Sequence, residues 1–127
     1  MHRFFFTFAA VLGFLAVALG AFGAHGLKTR LGALPDGVDR LEWWKTAAQY
    51  HLAHALALAL AAGLLGDTRA GRAACVAFVV GIALFSGSLY TMTLSGVRQL
   101  GAVTPLGGLS LLAGWALLAV AAWYHAG

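Results

Sequence analysis

The sequence predicts an all-α membrane protein, a single domain of four transmembrane helices bundled and joined by short loops. Two observations predict it. Of 127 residues, 61% are hydrophobic and only 9% are charged, against ~25% charged in a soluble domain. The mean hydropathy is +0.86. So few charges cannot cover a soluble surface, and a disordered chain would be poor in apolar residues. The second observation is how the charges are placed. Four runs, residues 4–27, 46–65, 73–97 and 105–124, contain no Asp, Glu, Lys or Arg. Each reaches the ~20 mainly apolar residues that cross a bilayer. In lipid the backbone must satisfy its own hydrogen bonds, which makes these runs helices. The strict alternation of a membrane β-strand is absent from them.

The first run follows Arg3 and carries Ala21-Phe22-Gly23, a small-x-small pattern compatible with signal-peptide cleavage. The run is long for a signal peptide and the polar leader is nearly absent, so a retained helix is the preferred reading. The connection 28–45 contains the turn signal Pro35-Asp36-Gly37. Asp39 and Glu42 stand at capping-box spacing, and Trp43-Trp44 suit a headgroup boundary. The second run is rich in alanine. Residues 66–72 form a polar hairpin, and residues 98–104 form the last connection. Thr104-Pro105 reads as a helix start, with Thr as cap and Pro in the first turn.

The net charge is +4, from eight Lys and Arg against four acidic residues. The basic residues are scattered over short connections and form no stripe, so they are topology signals and not a nucleic-acid surface. Connections one and three hold Lys28, Arg30, Arg40, Lys45 and Arg98; the opposite side holds Arg3, Arg69 and Arg72. The positive-inside rule then places both termini in the periplasm. The single cysteine, Cys75, excludes an internal disulfide and a CxxC pair.

Glycine occurs 17 times, and small residues let helices approach closely in lipid. Ala9, Gly13, Ala16, Gly20, Gly23 and Ala24 recur at spacings of three and four on the first helix. Ala83-x-x-x-Gly87 and Ser110-x-x-x-Gly114 repeat the pattern on the third and fourth. Packing within the bundle is the simpler reading, and homo-oligomerisation is the alternative.

Polar side chains concentrate in the half of the spans nearest connections one and three. They are His25 on helix one; Gln49, Tyr50, His51 and His54 on helix two; Ser86, Ser88 and Tyr90 on helix three; and Thr104 at the start of helix four. His51 and His54 are three apart and share a broad helix face. These nine residues form the candidate ligand-binding pocket. Three readings stay open for it. Neutral histidines can tie helices together through hydrogen bonds. Histidines can ligate haem or a metal, although no intramembrane carboxylate or second thiol is present to complete a zinc site. A polar pocket between helices can also hold a quinone or a lipid. The expected state is without metal or cofactor, with the polar groups converging between helices.

No nucleophile elbow, HExxH, phosphate loop or dinucleotide fingerprint is present. No intramembrane carboxylate is available to couple ions. The reading is therefore a non-enzymatic accessory or assembly partner of a membrane complex. A ligand-binding bundle for quinone, lipid or haem, and an oligomeric small channel or transporter, are the alternatives. The expected partners are the lipid bilayer and a membrane protein or further copies of the chain.

Several ordered motifs carry a family resemblance. They are Gly20-Ala21-Phe22-Gly23-Ala24-His25-Gly26-Leu27, Trp44 with Thr46-Ala47, and Tyr50-His51-x-x-His54-Ala55. Phe85-Ser86-Gly87-Ser88-Leu89-Tyr90 and Leu100-Gly101-x-x-Thr104-Pro105-x-Gly107-Gly108 follow. Over nearly its whole length the chain resembles the YgdD-type family of small inner-membrane proteins, which includes a vertebrate transmembrane relative. The resemblance implies a four-helix protein of the bacterial inner membrane and transfers no activity. The first connection of this chain is somewhat longer than the family pattern.

Overall fold

The computed structural model describes residues 2–125. It contains four long helices: α1 (His2–Leu31), α2 (Gly37–Leu65), α3 (Arg69–Ser95) and α4 (Thr104–His125), with a 3₁₀ turn at Arg98–Ala102 before α4. All four are long and apolar enough to cross a membrane. The helices overrun the apolar runs at the side of connection one. α1 continues through Lys28 to Leu31, and α2 starts at Gly37 rather than near Thr46. The loop expected over 28–45 therefore shrinks to residues 32–36. The physical reason is that polarity does not stop a helix. Residues 38–45 carry no breaker, and long Lys and Arg side chains remain solvated at a membrane boundary. The capping box is not formed. Asp36 precedes the helix without a side-chain cap bond, and Asp39 lies inside the first turn.

At the next connection Thr68 caps α3, its hydroxyl accepting from the Gly71 amide at 2.9 Å. Asp67 reaches His2 at 3.5 Å, so the start of α1 and the α2–α3 hairpin share one side. On the opposite side Arg98 meets Asp39 at 3.5 Å and lies 5.0 Å from the centre of the Trp43 ring. Arg40 donates to the carbonyls of Thr93 (2.8 Å) and Leu94 (3.1 Å), the last turn of α3. A cation at a helix C-terminus satisfies free carbonyls and complements the dipole.

Packing follows chain order. α1 lies against α2, α2 against α3, and α3 against α4, while α1 and α4 meet at most marginally. The apolar half carries the larger core, built from Phe5, Ala9, Leu58, Ala61, Phe78, Ile82 and Leu111. The other half has only a small apolar cluster of Ala47, Leu89 and Met92. Polar bonds between helices supply much of the contact there.

The small-residue patterns divide. Gly107 packs directly on the backbone of Leu84 and Phe85 in α3, and Gly114 packs on the Phe78 ring. By contrast, a side chain at Gly13 or at Gly87 would meet nothing within 4 Å, and Ala83 is exposed. The Ala83-x-x-x-Gly87 pattern is thus not a packing face within the chain.

Candidate functional site

The polar half is built as a set of pairs. On α2, His51 turns toward α3, where its Nδ1 lies 2.9 Å from the Tyr90 hydroxyl. Tyr90 in turn packs on Trp44, ring centres 4.6 Å apart. One turn further, His54 turns toward α4. The Trp115 indole N–H donates to His54 Nε2 at 3.0 Å. That nitrogen accepts, so the proton of a neutral ring sits on Nδ1, which donates to the Tyr50 carbonyl at 2.7 Å. Both nitrogens of His54 are therefore committed and its tautomer is fixed. Phe78 and Trp115 hold the ring edge-on and tilted, with centres about 6 Å away.

The serine and threonine hydroxyls of α3 bond to backbone carbonyls, and Ser88 also meets Thr104 of α4. Ser86 donates to the Ala47 carbonyl across the α2–α3 seam at 2.8 Å. Ser88 donates to the Phe85 carbonyl at 2.9 Å and lies 2.6 Å from the Thr104 hydroxyl, which then donates to it. Thr93 reaches the carbonyls of Arg40 and Leu89. On α4, Ser110 donates to the Ala77 carbonyl of α3.

The nine residues expected as one pocket are thus brought together only in part. His51, His54, Ser86 and Ser88 are buried, and Tyr90 and Thr104 are half-buried. His25 and Gln49 are exposed instead of converging, and Tyr50 is exposed on one side while its ring stacks on His54, centres 5.9 Å apart, and on Phe85, 4.5 Å apart. His25 lies on a widened π turn, Gly23–Leu27, on the outer face of α1. Gln49 precedes His51 on α2 by two residues and faces the outside of the α1–α2 seam. His51 and His54 also separate, one toward Tyr90 and the other toward Trp115. Among the described residues the one side-chain nitrogen or oxygen fully buried without a partner is His51 Nε2.

Residues 19–108 match a family described as "Protein of unknown function (DUF423)". Relatives include the UPF0382 membrane protein YwdK of Bacillus subtilis, 42% identical over 124 residues, covering 94% of this chain and 96% of that one. The UPF0382 inner membrane protein YgdD of Escherichia coli K12 is 45% identical over 123 residues, covering 94% and 89%. A UPF0382 membrane protein of Haemophilus influenzae is 39% identical over 120 residues. The chain belongs to this family. It is a small inner-membrane protein of a family whose biochemical role is not known, as the motif resemblance implied. No solved structure matches it.

The family match begins at Leu19, which anchors a feature that sequence reasoning missed. Trp44 was expected at the headgroup boundary, yet it is only 4% exposed. Its indole donates to the Leu19 carbonyl at 2.7 Å. The ring fits against Gly23, where a Cβ would come within 2.5 Å of the indole nitrogen. The π turn starts at this glycine. A π turn shifts backbone pairing, and here the indole serves a carbonyl just before it. Trp115 and Arg40 were also missed. Trp115 stands alone as a mid-span tryptophan of α4, which was an available signal. Arg40 was counted only as a topology charge.

Proposed function

We propose that the chain is a non-enzymatic accessory component of the inner membrane, a rigid module that assembles laterally with another membrane protein. One observation supports this above others: the buried serine and threonine hydroxyls and His54 are committed to hydrogen bonds within and between the helices. A nucleophile needs a base within hydrogen-bond reach, but Ser86, Ser88 and Thr93 donate to carbonyls and none touches a histidine. His54 has no free nitrogen, and no three His, Cys, Asp or Glu side chains group together among the described residues. Connections as short as residues 32–36 and 66–68 offer little surface outside the bilayer, so a partner is met through the helices. Both termini are proposed to face the periplasm, on the five-to-three balance of basic residues.

Site-specific photocrosslinking tests the module. Phe14, Leu56, Val80 and Leu112 place one exposed position on each helix. A discrete adduct with another membrane protein is expected from one or two adjacent positions and not from the others. Adducts with lipid alone, or only with a second copy, would overturn it. For orientation, a C-terminal reporter fusion is expected to behave as periplasmic, and a cytoplasmic readout reverses the assignment.

A further inference from the structure

A groove of about 770 Å³ runs along the outside of the α1–α2 seam, within the size range of small-ligand sites. Its floor is made of small side chains, Ala16 and Gly20 of α1 and Ala48 of α2, with Leu52 at its deep end. From Leu41 to Leu52 the groove extends ~16 Å along α2, at 1.5 Å per residue. It opens toward the acyl-chain region. The end at connection one lies at the boundary and carries Lys28, Lys45 and Glu42. Neither lysine is within ion-pair distance of a carboxylate among the described residues. One turn below Lys45, ~6 Å deeper, Gln49 lines the same groove. Its amide is exposed within a spanning helix and has no hydrogen bond among the described residues. An amide facing hydrocarbon without a partner is costly.

We infer that this groove is a binding site for a singly anionic glycerophospholipid, phosphatidylglycerol. One acyl chain lies on the Ala16, Gly20 and Ala48 floor. The phosphate sits between the Lys28 and Lys45 ammonium groups, and Gln49 donates to an ester carbonyl at the depth where the glycerol backbone lies. Glu42, beyond Lys45, accepts from the headgroup hydroxyls. Two lysines and one glutamate give the mouth a net charge of one, which a single negative headgroup cancels. A zwitterionic lipid leaves it uncancelled. The inference does not depend on the accessory reading, because it concerns a lipid and not a protein partner.

The full chain is reconstituted in nanodiscs of equal phosphatidylglycerol and phosphatidylethanolamine, and retained lipid is read by native mass spectrometry. Wild type is expected to keep one phosphatidylglycerol per chain. The Lys28→Gln, Lys45→Gln double variant is expected to lose it about thirtyfold, in keeping with the weight of two basic residues at an anionic surface. Gln49→Leu is expected to weaken retention while leaving the preference for the anionic headgroup. Arg69→Gln, a charge removed at the opposite boundary, is expected to change nothing. All four positions are exposed, and an unchanged melting temperature shows that the variants fold. Equal retention of the two lipids by wild type overturns the inference. So does undiminished phosphatidylglycerol in the double variant, or a second copy of the chain crosslinked through a cysteine at Ala48.

Discussion

Replacing Gly107 by alanine tests whether α3 and α4 meet backbone to backbone. A Cβ there would lie 2.7 Å from Phe85 Cα and 2.8 Å from the Leu84 carbonyl carbon. Carbon atoms in ordinary contact are ~3.5–4.0 Å apart. Backbone cannot rotate away as a side chain can, so α4 must retreat by about 1 Å. A gap of that size forfeits roughly a quarter to a half of the contact energy along the seam, and overpacking costs about 1–3 kcal/mol. The Ser88–Thr104 bond, 2.6 Å long and one turn away, would stretch beyond useful range. Interhelical bonds in membranes average ~0.6 kcal/mol. Alanine returns up to about 1 kcal/mol in helix propensity. Gly108→Ala gains the same propensity, but its Cβ would stand 3.9 Å from the Phe85 ring, an ordinary contact. The difference between the two variants cancels propensity and should be about 2–4 kcal/mol. Reversible unfolding in mixed micelles, followed by far-UV circular dichroism, measures it. Two variants within about 0.5 kcal/mol of each other, or a more damaged Gly108→Ala, would refute the contact.

Trp115→Phe keeps the aromatic packing but leaves His54 Nε2 unpaired, and should cost about 1–2 kcal/mol. The loss should be strongly non-additive with His54→Ala in a double-mutant cycle, and additivity would mean that the bond carries no weight. Gly23→Ala should expel the Trp44 indole and shift tryptophan emission to the red, whereas Gly13→Ala, with open space around it, should leave the spectrum unchanged. Arg40→Gln removes the guanidinium from the α3 terminus and should raise proteolytic nicking at residues 96–103; unaltered nicking would show the contact to be incidental. Haem added to the purified protein should give no stoichiometric Soret band, because His54 has both nitrogens bonded, the free nitrogen of His51 is fully buried, and His25 faces outward. A band that disappears in His54→Ala would reverse that reading.

The four spans were legible because each rests on a long-range average. Removing charge from ~20 consecutive residues has one outcome in lipid. The ends were less legible. Residues 37–45 contain two acids, two tryptophans, an arginine and a lysine, which read as a boundary segment. They fold as the first turns of α2 because no residue after Pro35 breaks them. The confinement of polarity to one half was equally readable, since depth follows from residue number at 1.5 Å per residue.

Direction around each helix axis was not readable in the same way. At ~100° per residue, His51 and His54 are ~60° apart, close enough to count as one face. On a helix with neighbours on both sides, that angle decides between them. α2 lies between α1 and α3 with α4 alongside, so His51 finds Tyr90 and His54 finds Trp115. Gln49, turned by ~200° from His51, leaves the interior, whereas Tyr50, turned by ~100°, stays at the rim, stacked on His54 and Phe85. Sequence spacing grouped these residues by depth, whereas the neighbours sorted them into interhelical ties and an outward-facing remainder. That sorting separates His51 and His54, whose partners account for all but one of their ring nitrogens, from Gln49, which has no partner among the described residues. The buried histidines explain how the bundle holds together. An exposed amide beneath two lysines, all three without partners among the described residues, asks for something from outside the chain, and it lies on the groove where an anionic lipid would meet all three.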